Sequence, residues 1–297
     1  MTTLYPDRHV GIRLDGAWRA CVPKEWVASW EPRPVAVAGG ATDAVVMGAG
    51  ETVVLLPPLP GYKEAWIACA HRLARSFRVV TFDLRARFDG APSWDVLVDD
   101  LERILGALAP GRTGVVGHSL GGALAQRWAL RHPERVGMLV LSSTFARVTT
   151  PAGDRFARFV EQPLVLATQR LLPEVLAAPL ARRFARRGAW VYDAACDDAV
   201  LAFVRQAVRR VSIAQTRVAL RLAFAHDLRA ELRTLAVPAH VVHGALESRF
   251  VHRAADELME LIPDAHRDVI PAVGHLHPLS SPAWLCERIE HWMRARA

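Results

Sequence analysis

The chain has 297 residues, of which 52% are hydrophobic and 23% charged, and its formal net charge at pH 7 is +7. This composition indicates an ordinary soluble globular protein. No apolar run reaches the ~18 residues needed to span a bilayer, which excludes a membrane-spanning class. Four scattered cysteines form no Cys-X-X-Cys pair, so a disulfide framework or cysteine metal site is not expected. The first residues lack the pattern of a secretory signal, and we expect a cytoplasmic protein.

Residues 1–50 are interpreted as an N-terminal arm with edge strands. Apolar segments alternate there with glycine- and proline-containing turns, which is typical of short strands. The predicted strands are Val10–Leu14, Val35–Val37 and Ala44–Met47. Three tryptophans, Trp18, Trp26 and Trp30, are expected to pack this arm against the rest of the protein.

From Thr52 onward, apolar runs alternate with amphipathic stretches. Val53–Leu56 is continuously apolar, as expected for a strand buried on both faces of a parallel sheet. Further strands are predicted at 78–82, 113–118, 136–141, 239–243 and 267–270. Helices are predicted at 63–75, 94–108, 119–132, 251–261 and 282–294. This alternation predicts an α/β protein with a mostly parallel, doubly wound sheet.

Residues 146–230 interrupt the alternation. Helices are predicted at about 153–171, 173–187, 197–210 and 212–225, with no convincing strand. This segment holds 14 arginines against 7 acidic residues, so its net charge equals that of the whole chain. The excess is either a solvated helix surface or a landing site for an acidic carrier or anionic substrate.

The most informative motif is Gly117-His118-Ser119-Leu120-Gly121. It follows a β-branched run and precedes an alanine-rich helical pattern, so it predicts a sharp strand-to-helix turn with Ser119 at its tip. Glycines suit such a turn because the backbone packs closely there. The helix would direct its positive dipole end toward the group that Ser119 attacks.

A serine nucleophile needs a base and a group that orients the base. Ser119, Glu247 and His275 all follow predicted strands, and the carboxyl ends of parallel strands meet at one edge of the sheet. The residues themselves leave alternatives open, since His277 could replace His275 as base. The acid could also be Asp256 or Asp264, although both are predicted on a helix or at its exit.

From Thr52 to the C-terminus the chain resembles the α/β-hydrolase superfamily, and within it the small capped bacterial serine esterases. The matching segments are Gly117–Gly122, His132–Val136, Asp227-Leu228 through Val237-Pro238, His243–Glu247 and Gly274-His275. The resemblance implies a catalytic triad of Ser119, His275 and Glu247, the glutamate standing where relatives commonly carry aspartate. It also implies a hydrolase core in two parts, residues 1–145 and 231–297, with a helical cap at 146–230 between the sixth and seventh strands.

The resemblance also implies an oxyanion hole made by the backbone N–H groups of Leu120 and Leu59. Relatives carry a His-Gly pair where this chain has Pro57-Pro58, but the donor expected next in sequence is Leu59, which keeps its N–H. Six aromatic residues could line a pocket under the cap or belong to the core. They are Phe145, Phe156, Phe159, Trp190, Phe203 and Phe224.

The expected function is hydrolysis of a carboxylic ester through an acyl-enzyme, with no metal or organic cofactor. Alternatives on the same site are a thioesterase or carrier-protein-linked ester hydrolase, a carbon–carbon bond hydrolase and a cofactor-free perhydrolase. A ligand-binding or signalling protein on the same fold is the non-enzymatic alternative. The expected partner is a small-molecule ester, or an acidic carrier protein at the arginine-rich cap. We expect no nucleic acid and no membrane span, and a monomer or homodimer.

Overall fold

A computed structural model describes residues 8–14, 16–149, 162–186 and 196–295. Within these residues, eight strands form one sheet in the order β1-β2-β4-β3-β5-β6-β7-β8. β1 and β2 pair antiparallel with each other, and β2 pairs antiparallel with β4, while the pairs from β4 through β8 are parallel. The strands are β1 Arg33–Val37, β2 Gly40–Met47, β3 Thr52–Leu56, β4 Arg78–Phe82, β5 Thr113–His118, β6 Val136–Ser142, β7 Ala239–Gly244 and β8 Ala265–Ile270. The mostly parallel sheet is as predicted.

The described helices are short to medium in length, and several cover the two faces of the sheet. They are α1 Lys24–Ala28, α2 Ile67–Leu73, α3 Trp94–Leu108, α4 Leu120–Arg131, α5 Gln162–Leu171, α6 Glu174–Arg186, α7 Asp198–Arg210, α8 Ile213–Phe224, α9 Arg249–Leu261, α10 His277–Ser280 and α11 Pro282–Arg294. A 3₁₀ turn, Lys63–Trp66, precedes α2, so the helix predicted at 63–75 is α-helical only in part. Among the described helices, none has both the length and the apolar character needed to cross a membrane.

Burial on both faces of the sheet explains the continuous apolar run of β3. Val54 and Leu56 belong to the core that contains residues of α3, α4 and α9. Val53 and Leu55 point the other way, into the core that contains residues of α2 and α11. Because successive side chains of a strand alternate in direction, a strand between two helix layers needs an apolar residue at every position.

The tryptophans of the N-terminal arm pack into the second of these cores. Trp18 and Trp30 are buried in it, and the Trp18 ring lies 6.5 Å from the ring of Phe203 on α7. The strand predicted at Val10–Leu14 is wrong, because no strand forms there in the described residues. Gly11 makes an isolated bridge to Arg85, and Val10 N–H donates to the carbonyl oxygen of Ala41 at 2.9 Å. A single bridge orders the backbone locally without adding a strand to the sheet.

Helices α5 to α8 lie between β6 and β7, where the helical insert was predicted. The predicted start of its first helix, at 153–161, lies outside the described residues, as do Phe156, Phe159 and Trp190. The last helix of the insert, α8, is tied to the core, since Trp94 Nε1 donates a 2.9 Å hydrogen bond to the carbonyl oxygen of Leu222. Apart from the bridge between Arg147 and Asp227, the described part of the insert has no β pairing.

Candidate active site

Ser119 lies in a strained turn between β5 and α4. Its φ is 53° and its ψ is −116°, a conformation that L-residues other than glycine rarely adopt. The surrounding backbone holds it there, since its N–H donates to the carbonyl oxygen of Ser142 at 2.8 Å. Its own carbonyl oxygen accepts from Thr144 Oγ1 at 2.7 Å. Strain of this kind persists only where neighbours over-determine the geometry, which makes Ser119 a functional candidate.

The glycines around Ser119 are required by close packing. A Cβ on Gly117 would collide with the carbonyl oxygen of Gly121, and one on Gly121 would collide with that of Leu56. A Cβ on Gly122 would lie 2.5 Å from the Cβ of Thr144. The N-terminus of α4 can therefore sit directly against the ends of β3 and β6 only without side chains at these positions.

Glu247 and His275 meet at the same edge of the sheet. Glu247 follows β7 and His275 follows β8, and the two loops are joined because Leu246 N–H donates to the carbonyl oxygen of Val273 at 2.8 Å. His275 Nδ1 lies 3.1 Å from Glu247 Oε1 and 3.3 Å from Oε2. The side chain of Glu247 is 0% exposed and that of His275 is 12% exposed, so only the histidine reaches solvent.

The pKa of Glu247 lies below its ordinary value. Burial acts most strongly and would raise this pKa, but the charge of His275 and hydrogen bonds from His275 and Ser143 together lower it by more. The carboxylate is therefore ionised at neutral pH. An ionised Glu247 accepts the Nδ1–H of His275, which leaves Nε2 of that ring available to take a proton.

His277, the alternative base, is held in a separate hydrogen-bond chain. Its Nδ1 faces the carbonyl oxygen of Gly274 at 3.0 Å, so Nδ1 carries the hydrogen and Nε2 accepts from Ser142 Oγ at 2.7 Å. Ser142 Oγ in turn accepts from His118 Nδ1 at 3.1 Å. Burial lowers the pKa of His277 to about 4 and that of His118 well below 6.5, so both rings are neutral at pH 7.

The alternative acids lie elsewhere. Asp256 pairs with Arg267 at 2.8 Å and Asp264 with His266 at 3.1 Å. Neither contact involves a histidine of the site edge, whereas Glu247 contacts His275 directly. The geometry therefore brings Glu247 and His275 together, whereas both aspartates contact other residues at the surface.

The two backbone N–H groups expected to form an oxyanion hole belong to Leu120 and Leu59. Leu120 is the first residue of α4, and the first N–H groups of a helix have no acceptor within the helix. Leu59 is partly buried in the loop that follows β3, directly after Pro57 and Pro58. Neither proline can donate, so Leu59 carries the first N–H after this pair.

A second polar cluster in the described residues has metal-like spacing. Ligand atoms of His9, Asp43 and Asp83 lie within 4.8 Å of one another. The carboxylates already have cationic partners, however, since Arg13 contacts both oxygens of Asp43 at 2.6 and 3.0 Å. The Asp83 carboxylate accepts from Lys63 N–H and Nζ at 2.9 and 2.8 Å. Because the two cationic side chains and one backbone N–H satisfy these oxygens, the cluster is better explained as an ionic network than as a metal centre.

Comparison with known proteins agrees with this fold. A family model described as alpha/beta hydrolase fold matches residues 51–282. The chain belongs to the α/β hydrolase fold family.

Curated relatives of the hydrolase include esterases. It is 32% identical over 244 residues to a pimeloyl-[acyl-carrier protein] methyl ester esterase of Nitrosomonas europaea, which covers 79% of this chain and 92% of the relative. It is 30% identical to the esterase of the same name from Edwardsiella ictaluri, over 80% of this chain and 92% of the relative. Among solved structures, a thermophilic esterase from Thermogutta terrifontis has a TM-score of 0.68 at 23% identity, covering 90% of this chain and 99% of that one.

Three of the aromatic residues considered for a pocket lie in the described part of the hydrolase. Phe145 and Phe203 are 6% and 1% exposed and belong to the two packed cores. Phe224, at the end of α8, is 52% exposed. For the first two the core interpretation fits best, and the third faces solvent.

Sequence reasoning missed two polar residues of the hydrolase's site edge, Ser142 and Ser143. Ser143 Oγ donates to Glu247 Oε1 at 2.5 Å, and Ser142 links His118 to His277. A signal was present, since both serines stand at the carboxyl end of β6, beside the strand that carries Ser119. Reactive side chains gather at the carboxyl ends of parallel strands, so a polar residue at the end of any such strand is a site candidate.

Proposed function

We propose that this carboxylic ester hydrolase acts through a serine nucleophile, Ser119, and an acyl-enzyme intermediate. His275 is the general base and acid, and Glu247 orients it. The observation that carries the proposal is the contact between Glu247 and the 12%-exposed His275 at the sheet edge that also holds the strained Ser119. These are the three roles that serine acyl transfer requires.

The proposed reaction runs in two halves. Ser119 Oγ attacks the ester carbonyl carbon while its proton passes to His275 Nε2. That proton then moves to the alcohol oxygen as the carbon–oxygen bond breaks, which releases the alcohol and leaves an acyl-serine. Water attacks the acyl carbon while giving a proton to His275, and the proton returns to Ser119 Oγ as the acid leaves. Glu247 stays ionised throughout and stabilises the transient imidazolium.

The N–H groups of Leu120 and Leu59 are the proposed donors to the oxyanion. The Leu120 N–H lies at the N-terminus of α4, where the helix dipole adds to the stabilisation of negative charge. The proposed organisation places residues 1–145 and 231–297 in the core and residues 146–230 in a cap. A cap over Ser119 would exclude water and select the acyl or alcohol group.

The test uses p-nitrophenyl esters of two, four and eight acyl carbons. Ser119→Ala is expected to lower kcat/KM by at least about 10⁴-fold on every ester that the wild type cleaves. An acid-quenched reaction of the wild type should show the acyl mass on the peptide that contains Ser119. Ser29→Ala, which changes an exposed serine of the N-terminal arm, is the matched control and should retain full activity. Equal turnover by wild type and Ser119→Ala would refute the proposal.

A second candidate is a substrate whose ester is carried by an acidic protein. Two observations favour it, namely the similarity to esterases whose names include an acyl-carrier-protein-linked methyl ester and the surface of α8. On α8, Arg217 and Arg221 are exposed beside Leu220 and Phe224, which are 39% and 52% exposed. A mixed basic and apolar face suits an acidic helical partner.

Charge reversal separates the two substrate classes. Arg217→Glu/Arg221→Glu is expected to raise KM for a carrier-linked methyl ester at least about 10-fold and to leave p-nitrophenyl butyrate turnover unchanged. Arg75→Glu/Arg103→Glu makes the same change of charge at exposed positions on the core. If both double variants behave alike on both substrates, α8 is not a carrier surface.

A further inference from the structure

Ser143, the residue after β6, has an unusual backbone. Its φ is 43°, in the left-handed region that favours glycine. It is nevertheless held firmly, since its N–H donates to the carbonyl oxygen of Val242 at 2.7 Å. A serine kept at a position where glycine would be less strained suggests that its side chain is needed.

The Ser143 side chain contacts the buried carboxylate of the proposed triad. Its Oγ donates to Glu247 Oε1 at 2.5 Å, and Glu247 is 0% exposed in its side chain. Within the described residues, the recorded hydrogen bonds to this carboxylate come from Ser143 and His275. Hydrogen bonds to an ionised acceptor are shorter and stronger than neutral ones, and this contact has that length.

Glutamate makes such a contact useful. Compared with aspartate, Glu247 has one more rotatable bond between its carboxylate and the backbone, so more rotamers could carry the oxygens away from His275. A second donor on Oε1 selects the rotamer that faces the histidine. We propose that Ser143 is a positioning residue whose hydroxyl fixes the Glu247 carboxylate against His275, a proposal that rests on the triad proposed above.

The main test compares Ser143→Gly with Ser143→Ala. Both remove the hydroxyl, but glycine accepts a φ of 43° without strain, so Ser143→Gly should melt at a higher temperature than Ser143→Ala. The two variants should have similar catalytic activity despite this difference in melting temperature. On p-nitrophenyl butyrate both variants are expected to lose about 10- to 100-fold in kcat, with KM little changed, as for the loss of a hydrogen bond to a charged group.

The pH profile gives a readout that a purely structural role would not move. Without the Ser143 donor, the Glu247 carboxylate is held less firmly against His275 and stabilises the imidazolium less. The acidic midpoint of the kcat/KM profile should therefore fall in both variants. Ser280→Ala is the matched control, because Ser280 Oγ is buried and has no hydrogen-bond partner among the described residues. It should leave kcat and the midpoint unchanged.

A double-mutant cycle decides whether Ser143 acts through Glu247. In a Glu247→Ala background, adding Ser143→Ala should not lower kcat further, because the group that Ser143 positions is gone. If Ser143→Gly keeps the wild-type kcat while Glu247→Ala is impaired, or if the two losses multiply in the double variant, the positioning proposal is overturned. If Glu247→Ala itself is fully active, the triad proposal fails instead.

Discussion

Two buried polar clusters lie near the carboxyl ends of the strands and differ in access to solvent. The acid–base cluster consists of Ser143, Glu247 and His275, and it opens to solvent through the histidine. The lysine cluster consists of Lys63, Glu64 and Asp83. Lys63 Nζ lies 2.8 Å from Asp83 Oδ2 and 3.0 Å from Glu64 Oε1, and all three side chains are at most 4% exposed.

This difference in solvent access determines what each cluster can do. In the lysine cluster burial and the charge of Glu64 raise the pKa of Asp83, against the opposing effect of Lys63. That cluster also adjoins the loop after β3, where Leu84 N–H donates to the carbonyl oxygen of Gly61 at 2.7 Å. Closed to solvent, it can join β4 to this loop but cannot exchange protons with a substrate. A cluster with one accessible histidine can do so.

The largest expected effect is on catalysis in the acid–base cluster. Glu247→Ala should lower kcat on p-nitrophenyl butyrate by an amount on the order of 10⁴-fold, because His275 loses its orienting charge. Asp256→Ala removes an alternative acid and should retain wild-type kcat. If the two variants exchanged these results, the acid would be Asp256 and the assignment of the cluster would be wrong.

The next effect is on stability in the lysine cluster. Lys63→Met leaves two buried carboxyl groups without their cation and should lower the free energy of unfolding by about 3–5 kcal/mol in urea denaturation. Lys24→Met changes an exposed lysine and should stay within about 0.5 kcal/mol of wild type. The triple variant Lys63→Met/Glu64→Gln/Asp83→Asn should recover at least about 2 kcal/mol. No recovery would mean that the loss reflects packing of the lysine stem rather than charge.

The smallest expected effect is a change in how stability depends on pH. His277, beside the acid–base cluster, has its pKa lowered from 6.5 to about 4 by burial, so the unfolded chain binds a proton more readily than the folded one. The contribution of His277 to the free energy of unfolding is complete above about pH 6.5 and is lost as pH falls toward 4. The effect of pH on stability through Asp83 has the opposite sign, because the raised pKa of Asp83 gives stability at low pH that is lost as pH rises.

Urea unfolding at several pH values tests this contribution. Between pH 6.5 and 5, the wild type should lose about 2 kcal/mol more than His277→Gln, which does not titrate. His291→Gln, at an exposed position on α11, should keep the wild-type slope. Parallel slopes for wild type and His277→Gln would show that His277 titrates normally in the folded protein.

The sequence predicted the elements whose pattern is local. The continuous run of Val53–Leu56 predicted a strand buried on both faces, and the glycines around Ser119 predicted the tight turn. The position of Glu247 and His275 after strands predicted that they would lie at one edge, and they do contact each other. Their catalytic roles remain proposals.

Contacts set by register between distant segments could not be predicted. Lys63 and Asp83 are 20 residues apart, and a lysine at the start of a predicted helix gives no sign of burial. Ser143 and Glu247 are 104 residues apart, and their contact depends on the pairing of β6 with β7. Val10–Leu14 misled because an apolar stretch can pack as an irregular segment as readily as a strand.

The contact between Trp18 and Phe203 joins the N-terminal arm to helix α7 of the insert. The Tyr62 ring also lies 6.2 Å from Phe203, so α7 contacts both the N-terminal arm and the loop before α2. A truncated chain beginning at β2 would keep every residue of the proposed triad. Phe203 on α7 would nevertheless lose its contact with Trp18. If the insert acts as the proposed cap, such a fragment is expected to differ from the full chain in substrate selection while it retains the proposed triad.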